Sequence, residues 1–241
     1  YQIYPRRLGG DKAHERKCRL GEARKPQKHL TLKVLSTNIG RCETLQWKGK
    51  TYESGINKRQ VKEGIYLTSL GVKDDHISET KVHGGKEMAC YLFSHEHYPH
   101  WKLQYPDLVW EYGMFGENLT VEQFNEKEVC IGDVYALGKA LIQISEVRMP
   151  CYKLGIKFGN QGIIKEFISY GVSGAYLRVL QDGLVKEDDT LQLQQKSKDQ
   201  ISIWDVNQMI YGHASKPMLE QSLKSDELNE NIKRKLRKQL E

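Results

Sequence analysis

The sequence predicts a mainly β body, a sheet or barrel with a few peripheral helices, followed by a small α-helical unit at the C-terminal end. Three observations predict it. Short apolar runs separated by Gly, Asn and Asp recur between about residues 30 and 195. After about Gln195 the apolar spacing becomes helical. Ahead of both lies a segment set apart by its charge. Residues 1–30 hold nine Lys/Arg against three Asp/Glu, a surplus of six. The whole chain of 241 residues has 37 against 31, the same surplus, so the rest is neutral. The expected boundaries are therefore a basic, disordered and dispensable leader at 1–29, a β domain at 30–195 and a helical domain at 198–241.

The elements follow in order. Leu32, Val34 and Leu35 open a β-rich run. A second run, Glu43 to Tyr52, alternates around Leu45, Trp47 and Tyr52, and a third spans Ile65 to Val72. Met88 to Phe93 is apolar, and Ser94 can cap a short helix through Trp101. Asn118 to Val121, Val129 to Leu137 and Ala140 to Val147 read as strands, punctuated by Gly132-Asp133 and Gly138-Lys139. Ile163 to Tyr170 reads as a helix with Gly171 as its C-cap. Tyr176 to Leu180 and Thr190 to Gln194 return to strand, and Asp182-Gly183 between them signals a hairpin. Ser202 can cap a helix carrying Ile203, Val206 and Ile210. A last helix, from Ser225 towards Glu241, repeats Leu228, Ile232, Leu236 and Leu240 every fourth residue. Its acids come first and its bases last, which complements the helix dipole. Both helices present one apolar face, as a docking surface would, and His213 is the only histidine beside them.

Composition excludes several classes. No apolar stretch approaches the ~18 residues of a membrane span, and residues 1–30 lack the apolar centre of a signal peptide. The five cysteines, at 18, 42, 90, 130 and 151, are odd in number and form no CxxC pair. A disulfide framework or structural zinc site is therefore not expected, and a cytoplasmic setting is. Nucleic acid is not an expected partner, because the body lacks a surplus of positive charge.

Chemistry concentrates in a few places. In Arg148-Met149-Pro150-Cys151 the proline ends ladder pairing and fixes the turn. Arg148 and Lys153 put positive charge near the thiol, which favours the thiolate, the form that attacks and binds metal. A small buried core cysteine is the competing reading. In His83-Gly84-Gly85-Lys86 the glycines allow close backbone approach to a ligand and the lysine suits a phosphate, although an ordinary turn has the same composition. Gly116-Glu117-Asn118 either turns the chain or aims polar groups into a pocket. His95, His97 and His100 lie close together, but Pro99 interrupts them and no acid or thiol follows at ligand spacing, so no zinc site is expected there.

Taken in order, these pieces resemble the MOSC family, the molybdenum-cofactor sulfurase C-terminal-like domains, and within it the bacterial hydroxylaminopurine-resistance branch. The matching text is Lys81-Val-His-Gly-Gly85, Ala89, His97-Tyr98, Trp101 and Phe115-Gly-Glu-Asn-Leu-Thr120. It continues with Ile131-Gly-Asp133, Gly138, Ala140 to Ser145 and Arg148 to Leu154. Trp204-Asp205-Val206-Asn207 resembles the three-helix domain that often follows MOSC in this branch. The chain departs from the family's usual text at Val147 and Ser94, where proline is common, and at Met88, where a basic residue is.

The resemblance implies a MOSC-type β-barrel with molybdopterin in a cleft and the Cys151 thiolate as metal ligand and catalytic residue. His83, Gly84, Gly85, Lys86, Asn118, Arg148 and Lys153 are the implied cofactor-binding residues. The implied activity is reduction of a small N-hydroxylated substrate, a hydroxylated base or hydroxylamine, to the amine. An external electron-donor reductase is an implied partner, because the chain has neither ferredoxin cysteine spacing nor a dinucleotide fingerprint. The alternative is a carrier that holds the cofactor, or sulfur on Cys151, without turnover.

Overall fold

The computed structural model describes residues 32–79 and 84–241, so the basic leader and His83 lie outside the described residues. Residues 31–241 form one compact unit. Its centre is a closed barrel of seven strands: β1 (Leu32–Gly40), β7 (Cys90–Ser94), β8 (Leu119–Val121), β9 (Val134–Leu137), β10 (Ala140–Val147), β11 (Ala175–Gln181) and β13 (Thr190–Gln195). They pair in the order β13-β9-β10-β11-β7-β8-β1, and β1 returns to β13 with Leu32 opposite Leu191. Closure leaves no bare sheet edge within the ring.

Every pairing is antiparallel except β7 with β8. A parallel pair needs a long crossover, and here the crossover carries α1 (Tyr98–Gln104). Ser94 begins it: the Ser94 hydroxyl accepts from Glu96 N–H, capping a single 3-10 turn at His95–His97. The serine at the position where the family favours proline therefore serves as a cap.

Smaller strands flank the barrel. β2 (Glu43–Trp47) and β3 (Lys50–Ser54) form a hairpin, so the run expected at Glu43 to Tyr52 is two strands. β4 (Lys58–Gln60) extends the far end of β1. β5 (Ile65–Thr68) pairs both with β6 (Gly71–Val72) and with β12 (Gly183–Val185). The hairpin expected at Asp182-Gly183 does not form, because β12 leaves β11 to pair with β5. The strand expected at Val129 to Leu137 is also shorter. Residues 129–132 form a loop tied by a Cys130–Ser202 bridge, and β9 begins only at Val134.

Two cores explain which residues point where. Barrel-facing side chains such as Val34, Leu92, Leu119, Ile142 and Leu177 pack with Ile203, Val206, Ile232 and Leu236 of the C-terminal helices. A second cluster lies outside the barrel wall, where Tyr91 and Phe93 meet Tyr98, Trp101, Phe115, Phe158 and Phe167. β7 is therefore apolar on both faces, with Cys90 and Leu92 inward and Tyr91 and Phe93 outward.

The remaining helices are α2 (Tyr152–Lys157), α3 (Gly162–Tyr170), α4 (Ile203–Ile210), α5 (Lys216–Ser222) and α6 (Glu230–Arg237). Gly171 ends α3 at φ 80°, and a Cβ there would sit 2.8 Å from the Trp204 ring, so both conformation and space require glycine. Ser202 and Asp205 form a reciprocal capping box on α4. The final helix starts at Asn229, whose side chain accepts from Ile232 N–H. It therefore begins later than Ser225, and α5, led by Pro217, precedes it. Among the described residues no helix is long and apolar enough to cross a membrane.

Candidate functional site

The cysteine loop owes its position to β10. Its pairing with β11 slips between Ile144 and Glu146. Before the slip Ala140, Ile142 and Ile144 face the barrel core, and after it Val147 does. A bulge of this kind shifts the inward-outward phase by one residue. Glu146 and Arg148 are thereby turned to the outside, and Pro150 frees the chain from the ladder. Cys151 follows with extended backbone at the N-cap of α2, half-buried in the wall of a cleft. Val147, in place of the family's proline, remains paired opposite Ala175.

The cleft is a small open one of about 110 Å3. Cys151, Arg148, Lys153 and Asn118 line it, with Lys58, Asp75, His76, Tyr91 and Tyr176. Arg148 is 5% exposed. Its Nη2 donates to Phe115 O at 3.2 Å, and its guanidinium lies over the rings of Phe167 and Tyr91 at 5.1 and 5.5 Å. Its Nη1 is buried with no hydrogen-bond partner. A buried guanidinium donor left open is costly, and an anionic oxygen in the cleft is the natural acceptor. Lys153 Nζ donates to Ser78 Oγ and pairs with Glu79, both at 2.8 Å.

The opposite wall is a polar network. Asp75 pairs with Lys58 at 2.5 Å, and both side chains are under 10% exposed. Gly40 N–H donates to Asp75 Oδ1 at 2.6 Å, and Asn118 Nδ2 donates to Asp75 Oδ2 at 3.0 Å. Asn118 Oδ1 in turn accepts from Tyr91 N–H at 3.1 Å. Asn118 is thus a strut between β7, β8 and the Asp75 segment. Its neighbour Glu117 accepts from the N–H groups of Gly113 and Phe115, from Thr120 Oγ1 and from Tyr98 OH, and so closes the loop that carries Phe115. Burial raises the Tyr98 hydroxyl well above its usual pKa, and the Glu117 charge adds to it. Burial, opposed by the Arg148 charge, pushes Tyr176 up to about 12, so it lines the cleft as a neutral phenol.

The structure gathers four of the expected site residues, Cys151, Arg148, Lys153 and Asn118, around one cleft. Gly84, Gly85 and Lys86 lie in a turn before it, where Gly85 takes φ 89° and Lys86 is exposed. That turn delivers Met88, not Lys86, to the cleft wall. The three histidines are spread over the aromatic cluster: His95 contacts Tyr112, His97 Nδ1 is 3.2 Å from Tyr170 OH, and His100 stacks on Tyr170 at 4.2 Å. Sequence reasoning missed Lys58, Asp75, His76 and Tyr176. Asp74-Asp75 signals a turn, and Asp74 does adopt φ 63°, but nothing local says that Asp75 would be buried against a lysine 17 positions away.

Comparison with known proteins gives consistent results. Residues 79–192 match the MOSC domain family model. The chain is 37% identical over 181 residues to an uncharacterized protein, YflK, of Bacillus subtilis, covering 75% of this chain and 81% of that one. It is 36% identical over 148 residues to protein YiiM of Escherichia coli, covering 61% of this chain and 66% of that protein. A protein named only "Reductase" in Gibberella moniliformis is 35% identical over 166 residues, 67% of this chain but 29% of that longer protein. Among solved structures, YiiM from Geobacillus stearothermophilus superposes with a TM-score of 0.72 at 26% identity, over 87% of this chain and 100% of that one.

Proposed function

The chain belongs to the MOSC domain family of molybdenum-cofactor-related proteins, and from that premise we propose that it is a molybdenum-cofactor-dependent reductase of small N-hydroxylated compounds. The observation that carries the reading is the pairing, in one cleft, of Cys151 with the buried, unsatisfied Nη1 of Arg148. A soft sulfur ligand and a buried anion donor are the two fittings a phosphorylated sulfur-bearing metal cofactor needs.

When bound, the molybdenum cofactor would supply a two-electron redox centre, with the Cys151 thiolate as a protein ligand to the metal. Arg148 would meet its phosphate, and Lys153 would add a second cation from the same wall. The Asn118–Asp75–Lys58 network would keep the opposite wall rigid, so that the thiolate and the substrate stay in register. Reduction of an N-hydroxylated compound consumes two electrons and two protons, breaks the N–O bond and yields an amine and water. The electrons come from an external donor reductase.

The test is to purify the protein from a molybdopterin-competent host and from a cofactor-deficient one. Molybdenum, pterin and hydroxylamine reduction with a chemical donor are then measured. The expected result is cofactor and activity from the first host only. Cofactor without activity on any N-hydroxylated substrate would favour the carrier function, and absence of both would overturn the assignment.

A further inference from the structure

We propose that Cys42, Glu53 and His76 form a binding site for a zinc-class divalent cation on the rim of the cleft. The sulfur, a carboxylate oxygen and a ring nitrogen of these residues all lie within 4.8 Å of one another. They come from three segments: the turn after β1, strand β3 and the stretch after β6.

The register explains the convergence. Thr44 faces Glu53 across the β2–β3 hairpin. Cys42, two residues before Thr44, falls on the same face. The corresponding place across the hairpin is Gly55, two residues after Glu53, where His76 takes the space a side chain would fill. A Cβ on Gly55 would lie 2.0 Å from His76 O and 3.2 Å from His76 Cβ. His76 N–H donates to Gly40 O at 2.8 Å, which fixes the backbone beneath the ring. His76 Nε2 is buried with no hydrogen-bond partner, so the imidazole is held by packing and not yet satisfied by the protein.

The chemistry of the set selects the ion. Thiolate, imidazole and carboxylate together suit zinc and its neighbours, and do not suit magnesium or calcium, which prefer oxygen alone. Three protein ligands leave a fourth tetrahedral position for water. The ion would tie the hairpin to the segment that carries His76, Ser78 and Glu79 into the cleft wall. The absence of a CxxC pair does not bear on this site, whose ligands lie 11 and 23 positions apart at residues 42, 53 and 76.

The proposal does not depend on the molybdenum reading, and its test uses the full chain with cobalt(II) as the spectroscopic probe. Titration should raise a sulfur-to-cobalt charge-transfer band that saturates at about one ion per chain and is displaced by zinc. Zinc should also raise the melting temperature. Cys42→Ser, at an exposed position, should fold normally and lose both effects, and Glu53→Gln should weaken them. Cys151→Ser and Cys18→Ser should keep the band. No band in the native protein, or a band retained in Cys42→Ser and lost in Cys151→Ser or Cys18→Ser, would overturn the proposal.

Discussion

Cys151 differs from the other described cysteines in where it faces. Cys90 and Cys130 are buried at 1% and 4% exposure, and burial drives the Cys90 thiol far above its usual pKa, which makes it a poor ligand. Cys151 is half-buried in the cleft wall. Serine at 151 is nearly isosteric but a harder ligand of much higher pKa. Cys151→Ser should therefore lower reductase turnover by at least about a hundredfold, or about 3 kcal/mol of barrier, with the melting temperature unchanged. Near-native activity would remove the thiolate from the mechanism. Asp75 poses the opposite problem, since its value lies in the charge it neutralises. Asp75→Asn strands the buried Lys58 ammonium and should cost about 3 kcal/mol in urea denaturation. A loss below about 1 kcal/mol would mean that water reaches the pair.

Between elements, the contact that bears on the site is α6 against the end of β10. Asn229 both caps α6 and donates to Glu146 Oε2 at 3.1 Å. Lys235 reaches Met149 Sδ at 2.8 Å and lies 3.9 Å from Glu146. Burial raises the Glu146 pKa, and Asn229 and Lys235 oppose that rise. The last helix therefore holds the strand end from which Arg148 and Cys151 depart. Asn229→Ala removes a cap and a donor to a buried carboxylate together, and should cost about 2 kcal/mol by chemical denaturation. A change of only a few tenths would show α6 to be fraying independently of the barrel.

Across the whole molecule, stability should depend on pH through Glu126. This carboxyl is 4% exposed, and burial pushes it up to about 8 despite the N–H of Gly174 that it accepts. A folded pKa above the unfolded one means that the folded state binds the extra proton. Its contribution is full below about 4.5 and is lost as pH rises through 8. His97, 3.9 Å away, is lowered by burial and acts in the other direction, but only below its ordinary 6.5. Between pH 6.5 and 8 the wild type should lose stability, and Glu126→Gln should lose markedly less. Parallel melting curves for the two proteins over that range would refute the assignment.

What the sequence determined by itself was the local alphabet and its order. Period-two runs announced the β body, Gly171 and Ser202 marked helix ends, and Arg148-Met149-Pro150-Cys151 marked a ladder terminus with a thiol beside positive charge. These are signals within a few residues, set by backbone sterics and capping, and they survive without knowledge of the fold. Pairing partners were not so determined. Whether β12 joins β11 or β5, and where β9 begins, depends on which edge is free when the barrel closes. The bulge in β10 that turns Arg148 outward depends on the register of β11. Lys58, Asp75 and His76 entered the cleft wall only because closure brought distant segments together, and contacts at such separation leave no periodic trace in the chain.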